Sequence, residues 1–149
     1  MAAKKYFTYA LVAFVVFVFI QSLFFKFTGS EETDIIFSTI AAWMNTIGLG
    51  FIAPTFESIG GYVIGSTELL ASLLLILPNT RRIGAVLGLA VISGAIFFHL
   101  FTPLGVDRVV DAAGNTDGGV LFYMACGVWL SCAILIVLTK ADTNKSVYR

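Results

Sequence analysis

Residues 60–78 read GGYVIGSTELLASLLLILP, and this stretch decides the fold. It is almost wholly apolar, and it carries one ionisable side chain, Glu68, near its middle. A helix of about 20 apolar residues, rising about 1.5 Å per residue, matches the roughly 30 Å hydrocarbon core of a bilayer. An ionisable group inside such a helix usually faces the bundle interior or water and marks a functional site. The stretch therefore predicts a membrane span that carries a candidate site residue.

The same apolar pattern recurs on both sides of this stretch. Overall the chain is 58% hydrophobic and 12% charged, whereas a soluble domain carries about 25% charge. This composition excludes a soluble core, a nucleic-acid-binding surface and intrinsic disorder. We predict an all-α bundle of four transmembrane helices in a single membrane domain, residues 1–149. The spans fall at about 6–25, 59–78, 83–101 and 120–138, and a short cytoplasmic tail follows at 140–149.

The charged residues predict the orientation of these spans. The N-terminus, the second connection and the C-terminal tail together hold seven basic residues and one acidic residue. The first and third connections hold two basic and seven acidic residues. Because basic residues favour the cytoplasmic side, both termini should face the cytoplasm of a bacterial inner membrane. Arg81 and Arg82 are then topology determinants, and the first span is an uncleaved span rather than a signal peptide.

One further apolar run, Ile35–Ala53 (IIFSTIAAWMNTIGLGFIA), competes with this topology. If it crossed the membrane, Arg81 and Arg82 would move to the outside, against the charge rule. It also carries several polar and glycine residues and runs into Pro54. We interpret it as an extracytoplasmic helix between spans one and two, which lies on or dips into the top of the bundle.

Each span contributes one polar side chain, and these side chains share helix faces with small residues that permit close helix contact. Counting from the cytoplasmic charges at about 1.5 Å per residue puts Gln21, Glu68, His99 and Tyr123 in one layer of the outer half. Lys26 lies just above this layer. The sequence therefore predicts a polar pocket that opens toward the extracytoplasmic side.

Each of these residues has a structural and a functional interpretation. Glu68 is either a buried carboxyl bonded to a neighbouring helix or a proton relay and ligand anchor. His99 is either an interfacial histidine or a proton donor and hydrogen-bond partner for a ligand carbonyl. Lys26 fits a snorkelling lysine, and Trp43 and Tyr123 fit an aromatic belt. All five, with Gln21, are candidates for ligand binding or proton handling, and no catalytic residue can be named.

Metal and thiol chemistry find little support in the sequence. A single histidine cannot supply bis-histidine haem ligation or a multi-histidine metal site, so no metal site is predicted. Cys126 and Cys132 are six residues apart on span four and point in different directions, so they cannot form a local disulfide. The sequence identifies no cofactor with certainty, and quinone is the candidate.

Four motifs, in order, resemble the DoxX and DoxX-like family of small four-helix bacterial membrane proteins. They are FFKFTGSEE (24–32), GSTELLA (65–71), LPNTRR (77–82) and GAIFFH (94–99). The resemblance implies that Lys26, Glu68, Arg81 or Arg82, and His99 are the polar positions of the family. The wider family is similar to the small subunit of thiosulfate:quinone oxidoreductase and to MauE, a maturation factor linked to disulfide chemistry. The missing paired-cysteine motif departs from these redox relatives and puts thiol exchange in doubt.

The sequence thus leads to three functional hypotheses. The first is a DoxX-like accessory or membrane subunit of an oxidoreductase system, in which His99, Tyr123 and Lys26 bind quinone carbonyls and Glu68 relays the proton. The second is binding or transport of a small amphiphile or lipid. The third is a non-catalytic maturation or scaffold partner. Expected partners are the lipid bilayer, a membrane or extracytoplasmic protein and a second copy of the chain, but not nucleic acid.

Overall fold

The structure, a computed structural model, describes residues 2–147, with side chains up to residue 139. Five α-helices follow one another along this part of the chain: α1 Ala2–Phe27, α2 Glu31–Thr46, α3 Ala53–Ile76, α4 Arg81–Phe101 and α5 Val120–Val147. Within the described residues, α1, α3, α4 and the Val120–Thr139 part of α5 are long and apolar enough to cross a membrane. The prediction of an all-α protein with four such helices is confirmed.

These four long helices pack in the cyclic order α1–α3–α4–α5. Their shared core is apolar and includes fully buried Val15, Leu75, Ala85, Val128 and Leu135. Many large apolar side chains on the outer faces remain exposed. An apolar core inside an apolar outer surface is the pattern of a bundle surrounded by lipid, because lipid tails solvate such faces.

Helices α3 and α4 approach each other closely at Gly84. A Cβ atom at Gly84 would lie 2.7 Å from the backbone nitrogen of Leu75, so only glycine fits there. Arg81 supports the same contact, because its Nε donates to the carbonyl oxygen of Leu75 at 2.9 Å and its Nη2 to that of Ile76 at 3.3 Å. Its guanidinium also lies 5.0 Å from the ring centroid of Tyr9. Arg81 thus caps α3, whereas its neighbour Arg82 is exposed.

Helix α2 occupies the place of the predicted extra helix, with different bounds. It begins at Glu31 rather than Ile35, because Ser30 caps its N-terminus by accepting the Thr33 N–H at 3.3 Å. It ends at Thr46, just before Gly48, which has a positive φ of 85°. Pro54 does not end this helix; it lies in the first turn of α3, where a proline needs no hydrogen-bond partner.

The predicted bounds of the spans change accordingly. Helix α3 begins at Ala53 rather than 59 and ends at Ile76, two residues before Pro78. Helix α1 extends beyond 6–25 at both ends, and α4 begins at Arg81. The first turn of α3 lies against α2, where Ile40, Met44 and Ala53 form a second small core with Leu104 of the α4–α5 connection.

The connection between α4 and α5, residues 102–119, folds back over the N-terminus of α2. A single β-bridge pairs Val109 with Thr116 within it. The backbone N–H of Ala112 donates to Glu31 Oε1 at 2.7 Å. The connection is therefore attached to α2 as well as to the two helices that it joins.

Candidate functional site: a cavity between two charged clusters

A cavity of about 500 Å³ lies between the helices. All five helices and the α4–α5 connection contribute to its walls. The walls are mostly apolar and include five aromatic rings: Phe19, Phe25, Phe37, Phe56 and Phe98. A volume of this size is within the range of small-molecule sites, about 300–1,000 Å³. The charged groups on its walls fall into two clusters.

The inner cluster consists of Lys26, Glu68 and Ser22. Lys26 Nζ lies 3.2 Å from Oε1 and 3.0 Å from Oε2 of Glu68, and it also donates to Ser22 Oγ. Glu68 is only 5% exposed, so this ion pair is buried among apolar helices. Ser22 and Lys26 are four residues apart, and this spacing puts them on one face of α1.

A glycine brings α1 close enough to α3 for this pair to form. At Gly65, three residues before Glu68, a Cβ atom would lie 3.2 Å from the side chains of Leu23 and Phe27. One turn after Glu68, Ser72 Oγ donates to the main-chain oxygen of Glu68 at 2.8 Å. Small residues on this face of α3 thus allow the ammonium group of Lys26 to reach the carboxylate.

The outer cluster is built around Arg108 of the α4–α5 connection, which is only 1% exposed. Its Nη2 donates to Glu32 Oε1 of α2, and its Nε lies 3.5 Å from Asp117 Oδ2. Both carboxylates line the cavity. Burial lowers the pKa of Arg108, and the charge of Asp117 opposes that shift. Within the described residues, Nε and Nη1 of Arg108 have no hydrogen-bond acceptor.

His99 lines the cavity on the side of the outer cluster. Its Nδ1 lies 2.6 Å from the carbonyl oxygen of Gly105, and its ring contacts Phe122 edge to face at 5.7 Å. Because a carbonyl oxygen can only accept a hydrogen bond, Nδ1 carries the hydrogen. In the neutral imidazole, Nε2 is then an acceptor. Neutral His99 can accept a ligand hydrogen bond but cannot donate one.

The helix register separates Glu68 from His99 along the bundle. The Arg81–Leu75 bond puts the start of α4 level with the end of α3. From there Glu68 is eight residues up α3 and His99 is 18 residues up α4, which is about 12 Å and about 27 Å. The two residues therefore differ in height by about 15 Å, where the sequence analysis expected one layer. The turn at 77–80 accounts for the difference, because it adds residues but little height.

The other candidate residues occupy different places around the cavity. Gln21 is mostly exposed and lies at its edge. Trp43 stands behind the wall, with its ring 6.4 Å from that of Phe98, which does line the cavity. Tyr123 is 66% exposed on α5 and is not a wall residue. The structure thus brings Lys26, Glu68, Gln21 and His99 to one cavity and leaves Trp43 and Tyr123 outside it.

Four polar residues of the two clusters did not emerge from the sequence: Ser22, Glu32, Arg108 and Asp117. Ser22 could have been found, because it precedes Lys26 by one helical turn. The other three lie in or beside the acidic connections, where charges count as solvated. Their pairing depends on the way in which residues 102–119 fold back over α2, and no local pattern specifies that fold.

Metal-binding and thiol groups are sparse in the part of the chain that the structure describes. No group of three His, Cys, Asp or Glu side chains there is placed to hold a metal ion. Cys126 is half-buried and Cys132 is buried, and both are free thiols.

Comparison of the chain with protein-family models, curated proteins and solved structures found no match. Its function is therefore inferred from its own residues, above all from the cavity and the two charged clusters.

Proposed function

We propose that the chain is a four-span protein of the bacterial inner membrane, with both termini in the cytoplasm. Helix α2 and residues 102–119 then lie on the outer side. The distribution of charge supports this orientation. Lys4, which donates to Leu138 O at 3.4 Å, and Arg81, which contacts Tyr9, belong to the basic end of the bundle. The acidic residues of α2 and of the α4–α5 connection belong to the opposite end.

Single-cysteine labelling tests this topology. In a background without Cys126 and Cys132, Arg82→Cys should react with a membrane-impermeant maleimide only after the cells are opened. Glu57→Cys, at the other end of α3, should react in intact cells. Labelling of Arg82→Cys from outside would overturn the orientation.

For the cavity, we propose that it binds a small apolar molecule with a polar head, with a quinone as the leading candidate. The chain would then be a membrane subunit of an oxidoreductase system, as its resemblance to the DoxX-like family implies. The observation that supports binding is the cavity itself, apolar in most of its wall and containing a buried Lys26–Glu68 pair. A scaffold without a ligand would be expected to fill this space with side chains.

The roles of the residues follow from their hydrogen-bonding capacity. Lys26 is a charged donor on the cavity wall, so it is the residue that we expect to bind a quinone carbonyl. Glu68 beside it can take up or release the accompanying proton. Neutral His99 has an acceptor at Nε2, so it suits the hydroxyl of a reduced quinone rather than a carbonyl. Tyr123 has no role in this proposal, because it faces away from the cavity.

Tryptophan quenching tests quinone binding. The chain has two tryptophans, Trp43 and Trp129, and only Trp43 lies behind the cavity wall. In a Trp129→Phe background, a short-chain quinone should quench Trp43 in a saturable way in nanodiscs. The variant Lys26→Met/Glu68→Met should weaken this quenching, and Glu57→Gln, an exposed glutamate on the same helix, should not.

A Trp43→Phe background gives the control for quinone dissolved in the lipid. Trp129 lies on the surface of α5, and we expect only linear, non-saturable quenching there. Equal quenching of both tryptophans, or no effect of the Lys26/Glu68 change, would remove the quinone proposal.

A second candidate function is binding or transport of a small amphiphile without redox chemistry. The continuous apolar wall between the two clusters favours it. Native mass spectrometry of the purified protein distinguishes the two: a bound quinone supports the first function and a bound lipid-like molecule the second. A protein partner and a second copy of the chain are compatible with both functions.

A further inference from the structure

The cavity has polar groups at both ends and an apolar wall between them. By residue count the main chain of Glu68 lies about 15 Å below that of His99, and their side chains lean toward each other, because side chains on a helix tilt toward its N-terminus. Between these levels α4 contributes Val91, Ile92 and Ala95 to the wall. A ligand with one polar head and a plain hydrocarbon tail fits only one end, because its tail would desolvate the polar groups at the other.

The inner cluster selects for a neutral head group. Lys26 and Glu68 already neutralise each other, so a charged head would leave one uncompensated charge among apolar helices. A hydroxyl group can accept from the ammonium of Lys26 and donate to the carboxylate of Glu68. It therefore joins the pair without disturbing its charge balance.

The outer end selects for a hydrogen-bond donor. Here the hydrogen-bond acceptors on the cavity wall include the carboxylates of Glu32 and Asp117 and the imidazole of His99. Because Nδ1 of His99 is bonded to Gly105 O, its neutral ring offers an acceptor at Nε2. A hydroxyl satisfies these acceptors, whereas a carbonyl or a carboxylate does not.

We propose that the cavity is specific for an elongated, neutral amphiphile that carries a hydroxyl group at each end. The inner hydroxyl binds Lys26 and Glu68, and the outer hydroxyl binds the acceptors around His99. This inference rests on the proposed function of the cavity as a ligand site, and it adds the end groups of the ligand.

Binding of α,ω-diols tests the two-ended site. The series runs from octanediol to hexadecanediol, with primary alkanols of the same lengths as controls, and is titrated calorimetrically into the protein in nanodiscs. Affinity for the diols should pass through a maximum within the series, at the length that spans the two ends. At that length the diol should bind about tenfold more tightly than the alkanol, which is about 1.4 kcal/mol.

Two variants assign the two ends. Lys26→Met/Glu68→Met removes the inner cluster without leaving a buried charge, and His99→Leu removes the outer acceptor. Each should abolish the preference for diol over alkanol, while Glu57→Gln should retain it. Because the two variants alter different helices, loss of folding in one leaves the other as the test.

The outcomes separate this inference from the proposed function. Equal affinity for diols and alkanols, or diol affinity that rises steadily with length, would overturn the two-ended site but leave an amphiphile pocket. Absence of saturable binding for both series would overturn the ligand site itself.

Discussion

The two charged clusters at the cavity use different chemistry. In the inner cluster, a lysine faces a glutamate between long apolar helices, and a proton can pass between them to leave both neutral. In the outer cluster, Arg108 keeps its charge at all ordinary pH values, and it is held by Glu32 and Asp117. The lysine–glutamate pair can therefore become neutral by an internal proton transfer, whereas the pairs of Arg108 with its carboxylates stay ionic.

The position of the carboxylates strengthens this contrast. Glu32 lies in the first turn of α2, and Asp117 accepts the backbone N–H groups of Gly119 at 2.9 Å and Leu121 at 3.2 Å, where α5 begins. A helix N-terminus stabilises a nearby negative charge. Arg108 thus joins two helix N-termini through the connection that carries it, and we interpret the outer cluster as a fixed clamp over the end of the cavity.

The largest expected effect comes from removing the clamp. Arg108→Met leaves two carboxylates without their cation, and breaking a buried ion pair from one side costs about 3–5 kcal/mol. We expect this loss in the free energy of unfolding, measured by denaturant titration in detergent micelles. The control is Arg82→Met, an exposed arginine, for which the change should stay within about 0.5 kcal/mol. Equal effects of the two variants would contradict the assignment of Arg108 as a clamp.

The inner cluster should give a smaller and reversible effect. Lys26→Met leaves the Glu68 carboxyl unpaired in an apolar surrounding, but a proton can neutralise it, so the cost should be that of an unsatisfied buried polar group, about 1–3 kcal/mol. Adding Glu68→Met should restore most of this stability, because no buried charge remains. Acidic pH should also reduce the stability that Lys26→Met loses, since protonation neutralises Glu68. A loss that is independent of pH would mean that Glu68 does not exchange its proton in this way.

The sequence predicts the inner cluster better than the outer cluster. The four long helices and the relevance of Lys26 and Glu68 follow from hydropathy and from the rarity of ionisable groups in apolar runs. Such signals are local, since each can be read within one helix. The height of His99 relative to Glu68 required the bounds of the turn at 77–80, which depend on how Arg81 caps α3.

The outer cluster could not be predicted from the sequence, for a different reason. Arg108, Glu32 and Asp117 come from three separate segments, and their charges look like those of any exposed loop. Only the fold of the α4–α5 connection over α2 buries them. The bounds expected around Pro54 were wrong for the same reason. A proline can follow one helix or begin the next, and the contacts of α3 with α2 favour the second.

The next prediction concerns the hydrogen bond of His99 at the outer end. Because His99 is the single histidine in the chain, ¹⁵N-histidine labelling gives one pair of ring-nitrogen signals. At alkaline pH these should report a protonated Nδ1 and an unprotonated Nε2. His99→Asn, whose side-chain amide can still donate to Gly105 O, should lose less stability than His99→Leu, by about 1 kcal/mol. A protonated Nε2 would reverse the assignment of this residue as an acceptor.

The smallest effect is expected in the same connection as Arg108 but at its surface, in the Asp111–Asn115 turn. Asn115 donates to Asp111 through its side-chain Nδ2 at 2.7 Å and its backbone N–H at 3.1 Å, and these bonds lower the pKa of Asp111. Asn115→Ala removes the side-chain donor, so the pKa of Asp111 should rise toward its ordinary value. Carboxyl NMR of ¹³C-aspartate-labelled protein measures it, with Asp111→Asn to assign the signal.

The sign of the accompanying pH dependence follows from the lowered pKa. A carboxylate whose pKa is lower in the folded state stabilises the fold above its unfolded pKa, and it loses that contribution as the pH falls through the folded value. The part of the stability difference between Asn115→Ala and the original chain that comes from the ionised Asp111 should therefore vanish in acid. The turn is solvent-exposed, so this difference should be far smaller than that of Arg108→Met. If Asn115→Ala and Arg108→Met changed the stability by comparable amounts, burial would not be what distinguishes the ion pairs of Arg108 from the exposed bonds of Asp111.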